Sequence, residues 1–145
     1  MTTYDPDCDF CQIARGAQPV STEIIARGED WFAMFPLNPA APGHTLVIPC
    51  AHVTDLWAFQ AGEGAGLLDA VIRVGNAIRV ALSPEGMNLI TSAGRVAEQS
   101  VFHLHLHVVP RWRRDGFGEI WPTGAEYRDD TLADAADRIR DALTG

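Results

Sequence analysis

Every second residue of His103-Leu104-His105-Leu106-His107 is a histidine. Imidazole offers two kinds of chemistry in such a row. As a neutral ligand it holds a catalytic metal. As a nucleophile it attacks an electrophilic centre such as phosphorus near neutral pH, while its neighbours bind the charge that develops. The alternation predicts a half-buried strand over residues 99–110. Leu104, Leu106 and Val108 would enter the core, and all three imidazoles would share the other face. Residues two apart on a strand are roughly 6.5–7 Å apart, and the residues alone leave both chemistries open. A second constellation is Cys8-x-x-Cys11, whose spacing suits one tetrahedral ion that needs two further ligands. Sequence proximity nominates Cys50 and His52 for them.

The flanks of the histidines carry a resemblance. Gln99-Ser100-Val101 before them and Pro110 after them resemble the signature of the histidine triad (HIT) family. Pro42-Gly43-His44-Thr45-Leu46-Val47-Ile48-Pro49, followed by His52, is similar to that family's second motif. Cys8-x-x-Cys11 is similar to its zinc-bearing, Hint-like branch, and Asp115-Gly116-Phe117-Gly118 and Trp121-Pro122 also match. The resemblance implies an enzyme acting at the α-phosphate of nucleoside phosphoramidates or dinucleoside polyphosphates. His105 would form a nucleotidyl-histidine that water hydrolyses. His107 would bind the phosphate and assist the leaving group, Ser100 would bond near the leaving atom, and His44 would complete the active site. Gln99 and Ser92 would border the substrate, and Phe10, Ile13, Met34 and Leu37 would line a base pocket. For the metal the resemblance nominates Cys8, Cys11, His52 and His103, a structural zinc with no open position, and it requires no catalytic cofactor. It further implies a homodimer whose sheets join.

Three positions depart from the family. Pro36 stands where a ribose-binding Asp or Asn is usual and has no side-chain acceptor. Ser92 stands for an Asn, and Glu98 for a Gly ahead of the triad. The expectation is that the phosphorus chemistry is kept and the nucleoside preference altered.

The elements that must position these groups are legible in outline. Asp9 to Arg15 predicts a short helix closed by Gly16, after a loose polar tail over residues 1–7. Thr22 to Arg27 and Trp31 to Phe35 predict a hairpin, and Pro36, Pro39 and Pro42 an extended loop. His44 to Ile48 predicts a buried strand, and Thr54 caps a short turn through Phe59. One long helix is expected over Glu63 to Leu82, with Leu67, Leu68, Val71, Ile72, Gly75, Ile78, Arg79 and Leu82 on its inner face. Met87 to Thr91 predicts another strand. The loop Gly94 to Glu98 offers amides to a phosphate. A final helix, capped at Asp130 or Thr131, carries Leu132, Ala136, Ile139 and Leu143 on one side. About five strands and two or three helices make a single α+β domain over residues 1–145 with a mainly antiparallel sheet.

Composition narrows the partners. With 145 residues and an apolar share of 47%, the chain can build one core. A net charge of −8 argues against general nucleic-acid binding, which needs many cations to neutralise phosphates. One phosphate in a local pocket is still compatible, and Arg111, Arg113 and Arg114 could raise the potential there. No long apolar run or leader is visible, so neither a membrane nor a secreted setting is expected. Three cysteines make no disulfide framework, which fits a cytoplasmic protein. Two other functions compete with the phosphorus enzyme. One is a metallohydrolase with all three histidines on zinc, and the other is a non-catalytic nucleotide-binding protein.

Overall fold

The computed structural model describes residues 3–20, 22–124 and 126–145. Five strands form one antiparallel sheet: β1 (Ile24–Arg27), β2 (Trp31–Met34), β3 (Thr45–Pro49), β4 (Gly86–Ile90) and β5 (Leu106–Arg111). Their order is β1-β2-β3-β5-β4. Three helices accompany them: α1 (Asp9–Ala14), α2 (Ala65–Leu82) and α3 (Asp129–Thr144). The α+β architecture with five antiparallel strands is the one expected.

Strand alternation sorts the side chains onto two faces. Ala33, Val47, Leu106 and Val108 face α2 and pack with its Leu67, Ala70, Val71, Val74 and Ile78. Phe32, Met34, Leu46 and Ile48 face the other way and pack with Phe10 and Ile13 of α1. Each buried Val, Leu, Ile, Phe or Met among them contributes about 1.5–3 kcal/mol. In β5, Leu106 pairs with Val47 and His107 with Leu46, which puts His107 on the α1 face.

The triad strand is shorter than its alternation predicts. His103 and His105 lie ahead of β5, in extended chain that leaves the ladder. The Leu104 amide donates to the Val53 carbonyl at 2.6 Å instead of to β3. The Pro49 carbonyl, at the end of β3, accepts from His103 Nε2. Alternation nevertheless persists, and Leu104 joins the α2 core.

Other boundaries shift for local reasons. Asp55, not Thr54, caps the turn Leu56–Ala58, because its carboxylate accepts the Trp57 amide. The long helix begins at Ala65, since Glu63 is engaged in a preceding turn where its carboxylate accepts the Gln60 amide. Its buried face comprises Leu67, Ala70, Val71, Val74 and Ile78, whereas Leu68, Ile72 and Leu82 are exposed. The final helix has Arg128 at its N-cap and no side-chain cap, so neither Asp130 nor Thr131 serves as one. Its stripe finds no cover among the described residues: Leu132, Ile139 and Leu143 are 54%, 60% and 79% exposed. Residues 3–7, expected as a loose tail, are tied down. Thr3 exchanges bonds with the His52 backbone, and Asp5 Oδ1 accepts the Asp7 amide. No helix among the described residues is long and apolar enough to cross a membrane.

Candidate active site and metal centre

The sequence places His44 just before β3 and His107 inside β5. Because those strands are neighbours, both imidazoles meet on the α1 face. His44 is 6% exposed. Its Nδ1 accepts the Ala40 amide at 3.0 Å, so its ring proton sits on Nε2. That Nε2–H donates to His107 Nδ1 at 2.9 Å, which leaves His107 with its own proton on Nε2. One backbone amide thus sets the tautomers of two rings. Burial holds His44 below the ordinary histidine pKa. His107 is lowered to about 4, by burial first and then by the neighbouring His105 and His44.

His105 is set by the opposite kind of partner. Its Nδ1 lies 2.7 Å from the His103 carbonyl, which can only accept, so Nδ1 carries the proton and Nε2 keeps a free lone pair. Burial holds its pKa below the ordinary value, which preserves the neutral ring. Thr91 donates to the His105 carbonyl at 2.9 Å, and Phe10 sits edge-on at 5.5 Å between ring centroids. A neutral imidazole with one nitrogen anchored and the other free is the form that a nucleophile requires.

His103 lies on the same α1 side, its ring 5.6 Å from that of Phe10, but its two nitrogens serve other partners. It is fully buried, its Nε2–H donates to the Pro49 carbonyl at 2.8 Å, and its Nδ1 is thereby left free toward sulfur. Cys8 Sγ lies 3.4 Å and Cys11 Sγ 3.6 Å from that Nδ1, and Cys11 Sγ lies 3.3 Å from His52 Nδ1. The four donor atoms all fall within 4.8 Å of one another. Zinc bonds of about 2.3 Å to sulfur and 2.0–2.1 Å to nitrogen imply donor separations of roughly 3.3–3.8 Å in a tetrahedron. The residues therefore fit a four-coordinate metal, with the His103 to Pro49 bond as its outer support. Burial also lowers the His103 pKa to about 4, keeping the ring in its ligand form. Cys50 is no part of the group. It lies against a separate cavity with Asp30 and Trp31, so proximity in sequence misassigned it. Among the described residues this is the one cluster that could hold a metal, and it excludes His105 and His107. A metal on all three triad histidines is accordingly not supported.

A cavity of about 690 Å³ opens beside the site, within the range of small-molecule pockets. His105, His107, Ser100, Phe10 and Leu37 line it, as do Pro36 and Asn38. Ile13 and Met34 instead lie behind it in the α1 core. Gln99, 5% exposed, spends its amide on structure: it donates to the Thr54 and Val101 carbonyls and accepts from the Gly94 amide. Ser92 is half-buried and outside the lining. The amides of Gly94, Ala97, Glu98 and Gln99 are used within their own loop, so these four are not free to cradle an anion. Nor do Arg111, Arg113 and Arg114 line the cavity. Arg111 grips Asp115 and Asn88, and Arg113 bridges Glu85. Asn38 was missed. Its signal was a polar residue between two prolines in the loop after β2, a setting in which loop side chains commonly bind ligands.

A sheet of this order, with two histidine sites on one face, defines a histidine triad protein. A HIT domain is matched over residues 18–114, and the chain belongs to that family. It is 34% identical over 139 residues to the protein hit of Bacillus subtilis, covering 94% of each chain. It is 32% identical to the adenosine 5'-monophosphoramidase of Schizosaccharomyces pombe, covering 80% of this chain and 84% of that one. Its fold is similar to a crystal structure of a HIT family member from Bacillus subtilis, with a TM-score of 0.82, 34% identity and coverage of 93% and 96%. It is also similar to a zinc-bound histidine triad protein from Mycobacterium smegmatis, with a TM-score of 0.70, 32% identity and coverage of 94% and 97%.

Proposed function

We propose that this protein is a nucleotide hydrolase or nucleotidyl transferase that works at the α-phosphate of nucleoside phosphoramidates or dinucleoside polyphosphates. The observation that carries the reading is the tautomer of His105, whose Nδ1–H is held by the His103 carbonyl while Nε2 is free. In this reading Nε2 attacks phosphorus and forms a P–N bond. The bond to the leaving group breaks with its electron pair, and the departing atom takes a proton from water while the Nε2–H of neutral His107 donates to a phosphate oxygen. Water then attacks the nucleotidyl-histidine and gives its proton to solvent, and the P–N pair goes back to His105. Ser100 would bond near the leaving atom, and His44 would hold His107 in the required tautomer. Phe10 and Leu37 would contact the base, with Asn38 supplying the polar group that Pro36 lacks. The monophosphoramidase activity in the name of the fission yeast relative supports the substrate class.

The metal at Cys8, Cys11, His52 and His103 would be zinc and structural, since four protein ligands leave no open position. The zinc-bound mycobacterial neighbour supports this. When bound, such an ion joins the α1 segment to the chain carrying the triad. The reading also makes the protein a cytoplasmic homodimer. The three cysteines, none of them in a disulfide, and the exposed Leu68, Ile72, Leu132 and Ile139 support that.

The test is intact-protein mass spectrometry after brief mixing with adenosine phosphoramidate, keeping acid-labile bonds. A mass gain of one nucleotidyl group is expected, absent in His105→Ala. Turnover that survives in His105→Asn would refute the reading.

A further inference from the structure

We infer that Thr91 is a positioning residue for the nucleophile: its hydroxyl clamps the peptide that carries His105 and so fixes where Nε2 points. The inference rests on the function proposed above and deepens it, by naming a residue outside the cavity on which the rate depends.

The clamp sits at a fork in the sheet. β4 ends at Ile90, whose partner in β5 is His107. Beyond that rung the two chains part, and the Leu104 amide turns away to the Val53 carbonyl. The stretch from His103 to His105 therefore lacks the ladder that holds the rest of the triad segment. Thr91 is the first residue past the end of β4, and its hydroxyl donates to the His105 carbonyl at 2.9 Å. Among the described residues it is the one side chain that donates to that carbonyl. A β-branched side chain has few rotamers to lose, so threonine holds this bond with little loss of entropy.

Two bonds thus define the ring. His105 Nδ1–H donates to the His103 carbonyl at 2.7 Å, which sets the tautomer. That bond alone leaves the peptide between His105 and Leu106 free to rock, to carry the ring with it and to stretch the bond itself. Thr91 supplies the second fixed point. Nε2 lies at the far end of the side chain, so a swing of roughly 15° at Cα moves it by about 1 Å, and a displacement of that size costs about a hundredfold in rate. Thr91 is half-buried and does not line the cavity. It meets no substrate and acts only through His105, so its loss should slow the chemical step and leave ligand affinity alone.

Thr91→Val removes the hydroxyl and keeps the shape, whereas Thr91→Ser keeps the hydroxyl. Adenosine phosphoramidate is mixed with excess protein, and release of the amine in a single turnover is timed by rapid quench. Thr91→Val should slow it about tenfold or more, and Thr91→Ser should bring it back to within about threefold of wild type. Affinity for adenosine monophosphate should stay within about twofold in both, which a general loosening of the site would not allow. The nitrogen NMR spectrum of the imidazole gives a readout that needs no substrate. Wild type should show His105 with its proton on Nδ1 alone, and Thr91→Val a mixture of the two tautomers. If Thr91→Val melts too early to assay, Thr91→Ala takes its place. Amine release in the variant within about twofold of wild type would overturn the inference and leave the enzyme reading standing. So would a loss that Thr91→Ser does not restore. If wild type releases no amine, the enzyme reading fails and the spectrum alone decides: a single Nδ1–H tautomer in the variant overturns the positioning role, and a mixture sustains it.

Discussion

Mild acid should weaken this protein through His107. The ring titrates near 6.5 when unconstrained and at about 4 in the folded chain, because burial and the adjoining His105 and His44 oppose its charge. Between those values the unfolded chain binds a proton that the folded one refuses, so stability is full above pH 6.5 and falls as pH falls toward 4. A gap of about 2.5 pH units corresponds to about 3 kcal/mol, and about 2 kcal/mol of it is lost by pH 5. Against a total stability of about 5–15 kcal/mol that is a large fraction. His44 and His105 are lowered in the same direction by burial and add to the loss. Carboxylates contribute little above pH 5. The assay is urea unfolding at pH 7, 6 and 5 for the wild type and for His107→Asn. The variant should be less sensitive to pH over this range by about 2 kcal/mol. A wild type that loses less than about 0.5 kcal/mol between pH 7 and 5, or a variant with an undiminished slope, would show that His107 is not held neutral by the fold.

Two further outcomes follow from the same geometry. Glu98 is exposed and sits at a φ of +67°, a left-handed conformation that suits glycine. Glu98→Gly should therefore stabilise the fold by about 1 kcal/mol, seen as a higher thermal midpoint, and a lower midpoint would contradict the strain argument. Purified protein should carry about one zinc per chain by elemental analysis. Cys11→Ser, or a chelator, should remove it and lower the thermal midpoint, because α1 then loses its tie to His103. Metal content that is unchanged in Cys11→Ser would exclude the Cys8, Cys11, His52, His103 set.

Much of this was legible from one dimension. The period-2 pattern around His103, His105 and His107 placed Leu104, Leu106 and Val108 in the core, since alternation depends only on local backbone geometry. The same locality made the five strands and the helices readable. Helix faces were less so. The inner face of α2 came out rotated toward Ala70 and Val74, because periodicity cannot tell which of two apolar stripes a sheet will cover. The stripe of α3 was read correctly as apolar, yet nothing among the described residues buries it.

By itself, the sequence determined the residue types, the triad spacing, the Cys8-x-x-Cys11 pair and hence the two chemistries available. Only the tertiary structure decided how they divide. Hydrogen bonds to distant backbone groups assign each ring its tautomer: Pro49 turns His103 toward the thiols, the His103 carbonyl frees His105 Nε2, and Ala40 sets His44 and through it His107. Those partners come from other parts of the fold or from the bend of the chain, and no spacing rule encodes them. The same is true of Gln99, consumed by a loop.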